Sequence, residues 1–264
     1  MANKEPKPAK TPQAPQAAGS FDWSQHQGAG LENVQKEDLG IPFLLILQKG
    51  SPQVDKDHQD YPTKKIPQAE IGDIINSLSN EVIYTEGDAP LEFIPCFYHK
   101  SYMEWKARNS GGGLVKSHAD AQILTECTRN EMGQDILRNG NIIVTTAYFY
   151  GILLYEGEKL PCVISLSSTQ LKKSRQWLTI MMNIRMKSPS GQMYQPPMFS
   201  HKYLLSTVPE KNEKGTWRGW KIERGPEVQD PGLIAESILV QKRSSALQHT
   251  TTPPKSLDQG DNVM

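Results

Sequence analysis

The run Ile142-Ile-Val-Thr-Thr-Ala-Tyr-Phe-Tyr-Gly-Ile-Leu-Leu-Tyr155, with Glu-Gly-Glu-Lys159 and Leu160-Pro-Cys-Val-Ile-Ser-Leu166 behind it, decides the fold. The run is rich in β-branched and aromatic residues, which fit a half-buried pleated surface. The turn at 156–159 brings 160–166 back beside it, so the two are expected to form a hairpin. The period then changes. Residues 167–187 read as a helix, with Ser167 and Gln170 at capping-box spacing. Leu171, Ser174, Leu178, Met181 and Met182 fall on one face beside Trp177 and Ile184, while Lys172, Gln176, Thr179, Asn183 and Lys187 fall on the other. Pro189 ends the helix.

On the C-terminal side two more strands are expected at 199–208 and 216–223. A helix then starts at Asp230-Pro231, with Leu233, Ile234, Ile238 and Leu239 on a buried face up to about 247. On the N-terminal side, 91–98 and 101–107 read as strands and Gly111-Gly112-Gly113 as a loop. Residues 121–127 read as a further strand, and 71–75 with 81–85 as a hairpin-like pair. Residues 41–48 fit a strand or a buried helical turn. The resulting expectation is a mainly β fold. It is an OB-like five-stranded barrel with helix 167–187 between strands three and four, plus a C-terminal helix. The alternative is an α+β domain of mixed strands with a helix packed on one side.

Composition narrows the function. The chain has 264 residues and a formal net charge of zero, so polyanion binding must be argued from where the charge sits. Residues 163–224 hold eleven Lys or Arg and three Glu, a local excess of about +8. Residues 1–37, rich in Pro, Ala, Gln and Gly but carrying Phe21 and Trp23, are expected to form a disordered arm. Residues 38–246 would be the binding domain and 247–264 a flexible tail. The N-terminus lacks the apolar segment of a secretory signal, and no apolar run is long enough to span a bilayer. With Cys96, Cys127 and Cys162 in apolar surroundings and odd in number, buried thiols and a cytoplasmic location are expected.

Catalytic chemistry finds little support. Cys96 and His99 have metal-ligand spacing, but on a strand they would point to opposite faces, and His118 and Cys127 lie too far apart to complete a preset site. No metal is expected. Glu70, Asp73, Glu81, Glu92, Glu126, Glu131 and Asp135 form no tight set for a metal-dependent nuclease. There is no Gly-x-x-x-x-Gly-Lys loop, no Gly-x-Gly-x-x-Gly and no Gly-x-Ser-x-Gly, so neither a cofactor nor an enzyme is expected.

Aromatic and cationic residues do interleave, first in Phe97-Tyr-His-Lys-Ser-Tyr-Met-Glu-Trp-Lys-Ala-Arg108 and again at 199–203 and 217–224. Rings stack bases and cations track phosphates. The expected stacking residues are Tyr102, Trp105, Tyr148, Tyr203 and Trp217. The expected phosphate contacts are Lys100, Lys106, Arg108, Lys202, Arg218 and Lys221, with Lys172, Lys173 and Lys187 extending the groove.

Gly40-Ile-Pro-Phe-Leu-Leu-Ile-Leu-Gln48, Ile71-Gly-Asp-Ile-Ile75, Leu91-Glu-Phe-Ile-Pro-Cys96 with Trp105, and Leu166-Ser-Ser-Thr-Gln-Leu-Lys-Lys-Ser-Arg-Gln-Trp177 give the chain a pattern over 39–222. That pattern resembles phage-type single-stranded DNA-binding proteins with an oligonucleotide-binding barrel. The resemblance implies a bacteriophage protein of the host cytoplasm that coats displaced strands in DNA replication and recombination without hydrolysing nucleotides. Its partners would be single-stranded DNA and replication or recombination proteins. The tail departs from the acidic tails of such proteins, since it carries only Asp258 and Asp261 against Lys255. A strand-annealing recombinase, a nuclease accessory protein and a protein-interaction module are the alternatives.

Overall fold

A computed structural model describes residues 40–107, 112–213 and 215–247. In chain order the elements are β1 (Phe43–Ile46), the single helical turn α1 (Tyr61–Lys64), β2 (Ile74–Asn76), β3 (Val82–Tyr84), β4 (Leu91–Trp105) and β5 (Leu114–His118). After a 3-10 turn at Ala121–Glu126 come β6 (Thr128–Arg129), β7 (Asp135–Ile136), β8 (Ile142–Tyr155), β9 (Glu158–Ser167) and α2 (Leu171–Asn183). The last elements are β10 (Met186–Lys187), β11 (Met193–Tyr194), β12 (His201–Asn212), β13 (Gly215–Glu227) and α3 (Pro231–Leu247). The expected arm at 1–37 and the tail beyond Leu247 lie outside the described residues.

The protein is mainly β, built on one mixed sheet. Eleven strands join it where five were expected. The principal order is β13-β12-β4-β8-β9-β1-β2-β3, with β5 on β4 and the β6–β7 pair on β8. The β1–β9 contact is parallel and the other pairings of the sheet are antiparallel.

The deciding hairpin forms as its sequence dictates. Glu156 (φ 50°) and Gly157 (φ 82°) make a two-residue turn, and Tyr155 pairs with Glu158. Both central residues have positive φ, which matches the twist of the flanking strands. The expected strands 91–98 and 101–107 are one continuous strand, β4, with a bulge between Pro95 and Phe97. The bulge lets one long strand serve two neighbours. Its start pairs with β12 through Leu91–Phe93 register and its end with β5 from Tyr102 to Trp105. Gly151 of β8 lies under this bulge, where a Cβ would overlap the Ile94 carbonyl and the Phe93 ring.

Three local expectations are corrected. Residues 121–126 are a 3-10 turn, because the Asp120 carboxylate accepts the Gln122 amide hydrogen and starts a turn in place of a strand. The helix begins at Leu171 and stops at Asn183, short of 187, because Met186 and Lys187 turn into the β10–β11 ribbon. The Ser167–Gln170 capping box does not form: Gln170 points away to β12 and β13.

The sheet curls into a half-barrel. Its concave face gathers Leu44, Phe93, Phe149, Leu166, Leu205 and Trp220 around Trp177 and Met181 of α2. Trp177 stacks on Phe149 (4.2 Å between centroids) and meets Tyr203 edge-on (5.5 Å). The curl is fastened by Gln48, just past β1. Its amide donates to the Arg218 carbonyl (2.8 Å) and accepts the Arg218 N–H (2.9 Å), tying β1 to β13. The convex face is covered in two places. Val54, Ile66 and Ala69 lie over Phe43, Leu45, Tyr148, Tyr150 and Val163, and α3 lays Leu233 and Val240 on Ile94, Cys96 and Ile152.

Candidate nucleic-acid interface

The expected stacking residues do not form an open platform. Tyr148 and Tyr203 are 1% and 0% exposed, and Tyr102 and Trp105 are also buried. This corrects the expectation of a ring-bearing open face. Tyr203 stands on the concave face against Trp177, where burial pushes its hydroxyl up to about 12. Tyr148 lies on the convex face, beneath the 48–70 segment, with His99 stacked beside it and Phe43 edge-on. Burial likewise raises its hydroxyl pKa. Trp217 is half-buried, and its indole N–H donates to Glu210 at 2.8 Å.

The expected cations are dispersed. Lys202 pairs with Glu92 (2.8 Å), Arg218 with Glu86 (2.9 Å) and Lys221 with Glu223 (2.7 Å). Lys100 and Lys106 are exposed, and Arg108 lies outside the described residues. The four weighed metal-ligand candidates also stay apart. Cys96 is under α3, its thiol pushed up to about 12 by burial. His99 is on Tyr148, and His118 Nε2 is 2.8 Å from Glu104. Cys127 Sγ donates to the Ile123 carbonyl. Among the described residues no three His, Cys, Asp or Glu side chains gather as metal ligands.

Two polar constellations are built instead. Near the end of β4, the Glu104 carboxylate accepts Asn141 (2.6 Å) and Asn139 (3.4 Å) on one oxygen and meets His118 on the other. The Asn141 hydrogen bond, then those of His118 and Asn139, outweigh burial and hold this carboxyl below the usual range. The network joins β4 to β5 and to the turn before β8. Its hydrogen-bonding capacity is taken up by these neighbours, which fits a fastening role.

The second constellation lies between α2 and β13. An open groove of about 630 Å³ runs there, lined by Lys173, Arg175, Gln176, Thr179 and Ile180 from the helix and by Lys221, Ile222 and Glu223 from the strand. Trp177 forms its inner wall, and the buried indole N–H has no hydrogen-bond partner among the described residues. Glu210 of β12 sets the geometry. It accepts Lys173 Nζ (2.8 Å), Gln170 Nε2 (2.9 Å) and Trp217 Nε1 (2.8 Å), and Gln170 Oε1 accepts the Trp220 N–H (3.0 Å). Gly219 leaves room beside this hub: a Cβ there would push the Glu210 carboxylate and the Gln170 amide out of place. Burial opposes ionisation of Glu210, but the Lys173, Gln170 and Trp217 donors prevail and keep its carboxyl below the usual range.

The electrostatics of α2 are one-sided. Lys172, Lys173 and Arg175 crowd its N-terminal end, and the helix has no acidic residue. Cations there oppose the helix dipole, at about 0.3–1 kcal/mol each. Lys173 is neutralised by Glu210. Lys172 and Arg175 are exposed, with no carboxylate partner among the described residues. The sequence carried a signal for this groove that the local charge excess only partly captured. Residues 159–209 contain seven Lys or Arg and no Asp or Glu.

Among the described residues no helix is long and apolar enough to cross a membrane. No curated protein and no solved structure matches the chain. A family whose description comes from a phage protein does match, which points to a bacteriophage origin. The match covers residues 10–243, and the chain belongs to the Pam3 phage gp34-like protein family.

Proposed function

We propose that this protein is a non-enzymatic, sequence-tolerant binder of single-stranded DNA, acting in replication or recombination in the host cytoplasm. The observation that carries the reading is the acid-free, cation-bearing α2 standing along an open groove. Arg175 in the groove wall and Lys172, one helical turn before it on α2, are the phosphate contacts. The partly apolar wall at Ile180 and Ile222 accepts the sugar and base faces. Such a surface neutralises a backbone without reading base edges, so affinity tolerates sequence.

Strand order supports the same reading. The central strands run β13-β12-β4-β8-β9, and α2 lies in the chain between β9 and β12. If these five strands are an oligonucleotide-binding core, α2 takes the place of the helix between its third and fourth strands. β1–β3 are then an addition beside β9, reaching β13 through Gln48.

The test is a fluorescence anisotropy titration with labelled oligo-dT at two salt concentrations. Wild-type affinity should fall steeply with salt. Lys172→Ala with Arg175→Ala should lower the log–log slope by about 0.7 for each phosphate that is no longer neutralised. Absence of binding, or binding indifferent to salt, removes the proposal. A slope unchanged in the double variant removes the groove as the site.

A further inference from the structure

The ribbon of β10 and β11 stands apart from the main sheet. Met186 pairs with Tyr194 and Lys187 with Met193, and the tip is closed by Ser188 N–H to the Gln192 carbonyl (2.9 Å) and Gly191 N–H to the Ser188 carbonyl (2.8 Å). Two residues per strand is far below what an isolated hairpin needs for stability in water. A ribbon that short is expected to carry polar side chains. This one instead exposes Met193 (63%) and Tyr194 (44%). Among the described residues Tyr194 is the one aromatic ring in the exposed class. Met182 of α2 is exposed next to the ribbon, its sulfur accepting Gln195 Nε2 at 3.0 Å.

Charge restricts what can cover this patch. The ribbon and α2 belong to the same acid-free segment, 159–209, and Lys187 lies directly across from Met193. A polyanion that also offers flat apolar faces complements both features, and an unpaired polynucleotide is that ligand. We infer that Tyr194 is a base-stacking site, with Lys187 and Met193 paired on the opposite face of the narrow ribbon, where Lys187 meets a phosphate. This rests on the single-stranded DNA reading and adds a second point of grip on the far side of α2's cations. A ring with two free χ angles gives contact area at low entropic cost.

The test uses full-length protein, labelled oligo-dT and an abasic deoxyribose-phosphate oligomer of the same length. Tyr194→Ala should weaken oligo-dT binding by at least about fivefold. Tyr194→Phe should stay close to wild type, and the salt slope should not change. Wild type and Tyr194→Ala should bind the abasic oligomer equally. Equal oligo-dT affinity for Tyr194→Ala and wild type, with wild type binding normally, overturns the stacking site and leaves the function standing. A patch that serves an acidic protein partner gives that same result. Wild type failing to bind oligo-dT at all overturns both.

Discussion

Replacing Glu210 by Gln tests how the groove is held. The side chain keeps its size and loses its charge. Three donors then face an amide: Lys173 at 2.8 Å, Gln170 at 2.9 Å and Trp217 at 2.8 Å. Hydrogen bonds to a charged group contribute about 1.5–3 kcal/mol each, but three on one carboxylate are not additive, and Lys173 can recover water. The expected loss is therefore about 2–4 kcal/mol at neutral pH. Urea unfolding followed by tryptophan fluorescence should show a lower midpoint with an unchanged slope, since Trp177 and Trp220 report on the core. The pH dependence has a definite sign. The folded carboxyl is held below the usual glutamate range. Its contribution is thus complete above that range and disappears as pH falls through the folded value. The deficit of Glu210→Gln should be full at pH 7 and shrink on acidification below about pH 4. A variant as stable as wild type at pH 7, or a deficit that persists unchanged to pH 3, would refute the hub.

Gln48→Ala removes both hydrogen bonds to Arg218, and should cost about 1–3 kcal/mol and strip hydrogen-exchange protection from the Arg218 amide. Protection that survives would mean the curl is held elsewhere. Gly151→Ala drives a methyl into the Ile94 carbonyl and the Phe93 ring, so it should destabilise by about 3 kcal/mol or more in a thermal melt. An unchanged midpoint would show that the β4 bulge relaxes freely.

The local elements were legible because they follow from local chemistry. Glu156-Gly157 between two β-prone runs fixes the β8–β9 hairpin, the 3.6-residue apolar period fixes α2, and Asp230-Pro231 fixes the start of α3, where the Asp230 carboxylate accepts the Leu233 N–H; the buried face expected of α3 fails at Ile238 and Leu239, which are exposed. Their ends were less legible, since Gln170 finds its partners at Glu210 and Trp220, 40 and 50 residues away. Tyr148 and Tyr203 show the larger gap. An alternating strand says which residues share a face, but not whether that face is covered. The 48–70 segment over Tyr148, and α2 over Tyr203, settle that through packing between distant parts of the chain. Charge behaves in the same way: Lys202 reads as a free cation until Glu92, 110 positions earlier, lies beside it. The sequence by itself determined hairpin, helices and the acid-free segment, because backbone preference and composition are local properties. Only the tertiary structure decided which rings are core, which cations are spent on carboxylates and where a groove stays open, because burial and pairing depend on which remote surfaces meet.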